Sequence, residues 1–183
     1  MKKYYWLTWS TGYDYTVPVA YAPEDTPLAH ELVSKITKFD NLPFDLELES
    51  VDIVNKRLKR LGYLKTGSLP VDYQPNSLAW PLMSTKMKGI IDKLLVGNEG
   101  LKWIEVKVKG EEKVYSYFIP VFSKKLETLD YEKTSFVPNT DHIINPAFSY
   151  DKVCHYEIFH DHSLFWQITC GIYVSESIKK GLL

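Results

Sequence analysis

The chain has 183 residues, 45% hydrophobic and 25% charged, with a formal net charge of −1. This is the balance of a soluble globular protein with one real core, or a core plus a small subdomain. It offers no basic excess for gripping phosphates, which argues against nucleic acid as a partner, and no apolar run reaches the ~18 residues a membrane span needs. Two cysteines do not make a disulfide framework. The opening Met1-Lys2-Lys3-Tyr4-Tyr5-Trp6 is too short and too polar afterwards for a signal-peptide core. The expected compartment is therefore the cytoplasm.

Along the chain, residues 3–9 are rich in Tyr and Trp and read as a strand, with a turn at Ser10-Thr11-Gly12. Residues 14–21 read as a second strand, placed at an edge by Pro18. Thr26-Pro27 has the form of a helix start, and Leu28, Leu32 and Ile36 then share a face with Val33 beside them, to near Lys38. Residues 44–49 alternate Phe44, Leu46 and Leu48 against Asp45, Glu47 and Glu49, a half-buried strand with an acidic outer face. From Ser50 the spacing of Val51, Val54, Leu58 and Leu61 predicts a helix that stops at Gly62 and carries Lys56, Arg57, Lys59 and Arg60 on its surface.

Residues 66–81 hold Gly67, Pro70, Pro75 and Pro81 without a lasting period. They divide the chain into an N-terminal α+β part (1–66), a connection (67–81) and a C-terminal α+β part (82–183), or else cross one continuous domain. Ser84 then has the place of an N-cap for a helix with Met87, Ile90, Ile91, Leu94 and Leu95 on its apolar stripe and Gly97 at its end. Residues 101–108 and 114–121 form a hairpin around Gly110-Glu111-Glu112. A loop at 138–141 and a short strand at Ile143-Ile144 follow. The fold class is α+β, with mixed or antiparallel sheets, three to four helices, and a C-terminal hairpin, strand and short closing helix.

That last stretch holds both cysteines and three of the five histidines. A loop of Asp161-His162-Ser163 between strands 153–160 and 164–170 pairs Cys154 with Cys170, Tyr156 with Ile168 and Ile158 with Trp166 on a core face. His155, Glu157, Phe159, Phe165, Gln167 and Thr169 fall on the outer face. Strand parity sends Cys154 and His155 opposite ways, and His155 and His160 likewise. Zinc needs about four converging ligands, and His160, Asp161 and His162 give only an exposed, incomplete set, so no metal or other cofactor is expected. The cysteines read as core-facing thiols, bridged only if their Cα atoms approach within about 5.5 Å. No nucleophile elbow, P-loop, dinucleotide fingerprint or zincin motif occurs, so no catalytic residue is assigned. Strand 171–174 leads to Ser175, which caps a helix over 176–180 with Ile178 inward.

From Tyr21 to Val54 eight acids face two bases, Lys35 and Lys38. Asp45, Glu47 and Glu49 on one strand face make either an acidic ridge for a basic partner or a solvated face neutralised by the basic residues that follow.

The run Trp80-Pro81-Leu82-Met83-Ser84-Thr85-Lys86-Met87 has a Pro-hydrophobic-x-Ser-x-Lys form. A strand pair ends in Tyr117-Phe118-Ile119-Pro120-Val121, followed by Leu129-Asp130-Tyr131-Glu132-Lys133-Thr134-Ser135 and by Val174-Ser175-Glu176-Ser177-Ile178-Lys179. This order, over residues 44–183, resembles the bacterial polymorphic-toxin immunity proteins of families eleven and forty-three. Lys133-Thr134 before Ser135 loosens the middle piece. The resemblance implies an α+β protein without a catalytic site that binds a cognate toxin C-terminal domain in the cytoplasm and blocks it by direct contact. Two surfaces are candidates: the ridge of Asp45, Glu47 and Glu49, and the hairpin's outer face with Phe159 and Phe165. The rival readings are a small-ligand or metal-dependent enzyme using the turn near His160 and His162, and a structural subunit of a larger complex.

Overall fold

A computed structural model describes residues 1–8, 16–36, 41–54, 57–63 and 70–183. The turn expected at 10–12, the helix end near Lys38, Lys56 and the 66–69 part of the connection lie outside the described residues. The elements in order are β1 (Tyr4–Leu7), β2 (Thr16–Tyr21), α1 (Ala29–Ile36), β3 (Leu46–Val54), β4 (Arg57–Tyr63), β5 (Met83–Ser84), α2 (Thr85–Leu94), β6 (Leu101–Lys109), β7 (Val114–Phe122), β8 (Ser135–Phe136), β9 (Ile143–Asn145), α3 (Tyr150–Val153), β10 (Ile158–His160), β11 (Ile172–Ser175) and α4 (Glu176–Leu182). The fold is α+β. A six-stranded sheet runs β2-β3-β6-β7-β5 with β4 beside β3; a three-stranded sheet runs β1-β11-β10; β8 and β9 make a small ribbon.

The β6–β7 hairpin is the spine of the larger sheet, nine pairs from Leu101↔Phe122 to Lys109↔Val114. Alternation gives it two apolar faces. Ile104, Val106, Val108, Tyr117, Ile119 and Val121 join Leu46 and Leu48 of β3, the α1 residues Leu32, Val33 and Ile36, and Leu78, Trp80 and Leu82 in one core. Phe122 faces a second core with Met87 and Ile91 of α2, Ile158, Ile172 and Val174 of the smaller sheet, and Ile178 of α4. The first core therefore draws on both sides of the predicted connection. Within that connection, residues 70–81 are held by one buried and one half-buried amide, Gln74 and Asn76. Gln74 donates to the Pro18 carbonyl at 2.7 Å and accepts from the Val71 N–H. Asn76 donates to the Trp80 carbonyl at 2.7 Å and accepts from the Leu78 N–H.

Both helix starts that sequence assigns to serine are made the same way. Ser84 ends β5 at φ −65°, ψ 164°, and its Oγ accepts from the Met87 N–H. Ser175 ends β11 at φ −66°, ψ 163°, and its Oγ accepts from the Ile178 N–H. Each hydroxyl also donates to a carboxylate, Ser84 to Asp72 at 2.6 Å and Ser175 to Glu157. A serine closing a strand thus satisfies a free N–H of the helix and fixes the angle between them.

Three sequence expectations are corrected. The helix predicted from Ser50 is instead the second half of β3 plus β4, antiparallel to each other with a bulge between Glu49 and Val51. Val51, Ile53 and Val54 are β-branched, and a sheet neighbour on each side rewards extended backbone more than their three-and-four spacing rewards a helix. Thr26 does not cap α1, which begins at Ala29 and leaves Leu28 64% exposed. The C-terminal strand pair has other members and another register. Ile158 faces Val174 and His160 faces Ile172, while residues 161–171 form a loop rather than a second strand.

That loop is closed at its base. The Asp161 N–H donates to the Gly171 carbonyl at 2.7 Å. Asp161 Oδ1 accepts from the Ser163 N–H and from Thr169 Oγ1, at 3.2 and 3.0 Å. A Cβ on residue 171 would lie 1.9 Å from Asp161 Oδ2, so only glycine leaves room for this clasp. Ile168 reaches into the first core, and the Gln167 carbonyl accepts from the Phe122 N–H at the end of β7. Among the described residues no helix is long and apolar enough to cross a membrane.

Candidate functional site

Parity fails for β10 because the strand is covered on both faces: Ile158, Phe159 and His160 are all buried. Phe159, expected on the outer face, is 1% exposed. It is packed by Tyr4, Phe148 and Tyr173 at ring distances of 5.1–5.2 Å. It is a core residue and leaves the list of surface contacts. Phe165 is 38% exposed and lies against His30 of α1, 6.0 Å between rings. Leu164 beside it is 79% exposed.

The cysteines, expected inward and opposed, are both free. Cys154 is half-buried after α3 and Cys170 is exposed at the loop's end. They are not strand partners, because the 164–170 segment is not a strand.

His160 and His162 come together, with rings 5.9 Å apart, but they do different work. His160 is fully buried. Its Nδ1–H donates to the Asp161 carbonyl, and its Nε2 accepts from the Leu126 N–H at 3.0 Å. Both nitrogens are used, which fixes a neutral tautomer, and burial holds its pKa below the ordinary imidazole value. His160 is a peg that ties β10 to the chain after β7.

His162 is half-buried, and its Nε2 is 2.8 Å from Thr128 Oγ1. Thr128 is fully buried and its hydroxyl has no other partner among the described residues. A buried hydroxyl left without an acceptor costs about 1–3 kcal/mol, so Thr128 donates to Nε2 and the ring proton sits on Nδ1. Burial first, then the repulsion a protonated His160 and Lys125 would exert on a charged ring, lowers the His162 pKa to about 4. His162 is a neutral donor at neutral pH.

His162 lines two adjoining depressions of about 840 and 530 Å³, and Lys125, Asp141 and Ile143 line both as well. One wall is the β8–β9 ribbon, where Tyr131 and Phe136 stack at 6.3 Å and 4°. Tyr131 is also held by the Lys152 ammonium, 5.4 Å from its ring centre. The other wall is the 161–171 loop with Leu164 and Trp166. Sequence alone does not indicate this cleft, because its walls are separate loops brought together by the cores beneath. Among the described residues no three metal-ligating side chains converge.

The acidic residues stand apart from the cleft. Glu47 is exposed, Asp45 pairs with Lys109 of β6 at 2.8 Å, and Glu49 is 8% exposed. Asp45 precedes β3 and Glu47 and Glu49 lie within it, the three at graded depth, and a neighbouring strand supplies a neutralising charge.

No protein-family model matches the chain, and a search of curated proteins finds no match either.

Proposed function

We propose that the chain is an immunity protein: it binds a cognate bacterial toxin domain in the cytoplasm and blocks it by direct contact, with no reaction and no cofactor of its own. The observation that supports this reading is the short exposed apolar strip of Leu164 and Phe165, at 79% and 38%, on the loop that walls an open cleft. Contiguous exposed apolar side chains with a polar border are a common sign of a protein interface. A stable complex buries about 1,200–2,000 Å² in total, an area that this strip and the cleft mouth can seed together. The ridge at Glu47, with Asp45 and Glu49 behind it, is the secondary surface, suited to a basic partner.

The test is co-purification and growth rescue with a toxin domain encoded beside this chain. The expected result is a one-to-one complex that protects the host and is lost in a Leu164→Asp/Phe165→Asp variant. A neighbouring region that encodes no toxin domain, or no complex at micromolar concentrations, overturns the proposal. Binding that persists independently of salt in a Glu47→Lys variant removes the ridge from the interface.

A further inference from the structure

The two depressions share one set of polar residues, and that set has a chemical sense. Lys125 is exposed and makes no ion pair or hydrogen bond with any described residue. It is close enough to His162 for its charge to be felt at the ring. Among the described residues His162 Nδ1–H has no partner either, and His162 lines both depressions. Two adjacent donors, one charged and one neutral, therefore face the same space. Asp161 lines the smaller depression, but its Oδ1 is turned into the loop clasp with Ser163 and Thr169. Asp141 lines both depressions and has no partner among the described residues, so it is a free acceptor shared by the two. The Tyr131–Phe136 stack adds a flat apolar wall.

We propose that this cleft is a binding site for a peptide chain end, with the terminal carboxylate on Lys125 and His162 and the last side chain, apolar and large, against Tyr131 and Phe136. A C-terminal residue carries a carboxylate, a side chain and one amide N–H within a few ångströms of each other. The cleft presents a donor pair, an aromatic wall and the Asp141 acceptor for these three groups. An internal Asp or Glu meets the donor pair alone. Because His162 stays neutral down to acid pH, its N–H donates without drawing the site into a second full charge, and Lys125 supplies the charge-assisted bond. The site does not depend on what the partner is.

The probes are N-acetyl-phenylalanine, its C-terminal amide, and N-acetyl-aspartate amide, titrated into the intact protein. Trp166 fluorescence and the His162 ring resonances are the readouts. The free acid is expected to bind saturably and to shift the His162 Nδ1–H signal. The amide is expected to bind at least about 10-fold more weakly, as is the free acid to Lys125→Gln, the loss of one charge-assisted bond. Lys125 is exposed, so an unchanged melting curve for that variant separates lost binding from lost folding. Equal binding of acid and amide, or wild-type binding by Lys125→Gln, overturns the carboxylate site. Equal binding of the aspartate probe overturns the chain-end assignment. No saturable signal from any probe overturns the site altogether. None of these outcomes bears on whether a toxin complex forms.

Discussion

Glu99 and His162 are both polar groups drawn below the surface, and their surroundings are opposites. Glu99 is 1% exposed, and its carboxylate accepts from the N–H groups of Val96, Gly97 and Glu157. It ties the end of α2 to the approach of β10. Next to it, Glu157 receives Lys2 at 2.6 Å and the Ser175 hydroxyl. Every oxygen in that corner is occupied. In the cleft, Lys125, Asp141 and one nitrogen of His162 have no partner among the described residues. A saturated network holds elements in place and has nothing left to offer a ligand. Accessible groups left unsaturated on a held frame are what recognition uses.

The contrast can be broken most strongly at Phe159. Phe159→Ala removes the ring that three aromatic neighbours pack around, and should cost about 3–5 kcal/mol in denaturant unfolding. A cost under 1 kcal/mol would return Phe159 to the surface. Glu99→Ala should cost about 3 kcal/mol, since three N–H groups lose a charged acceptor, while leaving the N-acetyl-phenylalanine titration unchanged. A weakened titration would mean that the corner and the cleft are coupled.

Acid sharpens the comparison from the other side. The folded pKa of His162 is about 4, against an ordinary value of 6.5, and that of His160 is lowered as well. As pH falls below 6.5 the unfolded chain takes up protons before the folded one, so stability is complete above pH 6.5 and declines toward pH 4. Each histidine contributes a slope of at most about 1.4 kcal/mol per pH unit. Equilibrium unfolding at pH 7.5, 6 and 5 measures it, and His162→Gln should flatten part of the slope. A stability that rises toward pH 5 would contradict the assigned tautomers. The smallest effect on folding belongs to Phe165→Ser, within about 0.5 kcal/mol, although the same change should weaken the proposed partner complex.

Short-range features were legible in the chain itself. The β6–β7 hairpin follows from alternation across a short turn, and Ser84 and Ser175 were readable as caps because a cap is set by its own next three residues. The stretch after Ser50 was misread because apolar spacing there fits both periods, and only the flanking strands decide. Phe159 was misplaced because parity assumes that one face of a strand meets water. Here the aromatic residues Tyr4, Phe148 and Tyr173, distant in sequence, cover the second face. The ridge was legible as a face but not in its depth or in its pairing with Lys109. Of the cleft, only the histidines carried any signal, and nothing in the sequence joined them to Lys125, Asp141 or the Tyr131–Phe136 stack.

The clasp between Asp161 and Gly171 has an evolutionary consequence. It seals the loop at its foot, and Ile168 and Gln167 anchor its returning limb. The tip at Leu164 and Phe165 therefore carries little of the structural load. Such a tip can drift in sequence while the fold stays intact, which is how loops on rigid frames commonly diversify. A lineage could then change what this exposed apex meets by exchanging a few side chains, with glycine at 171 as the position that cannot follow.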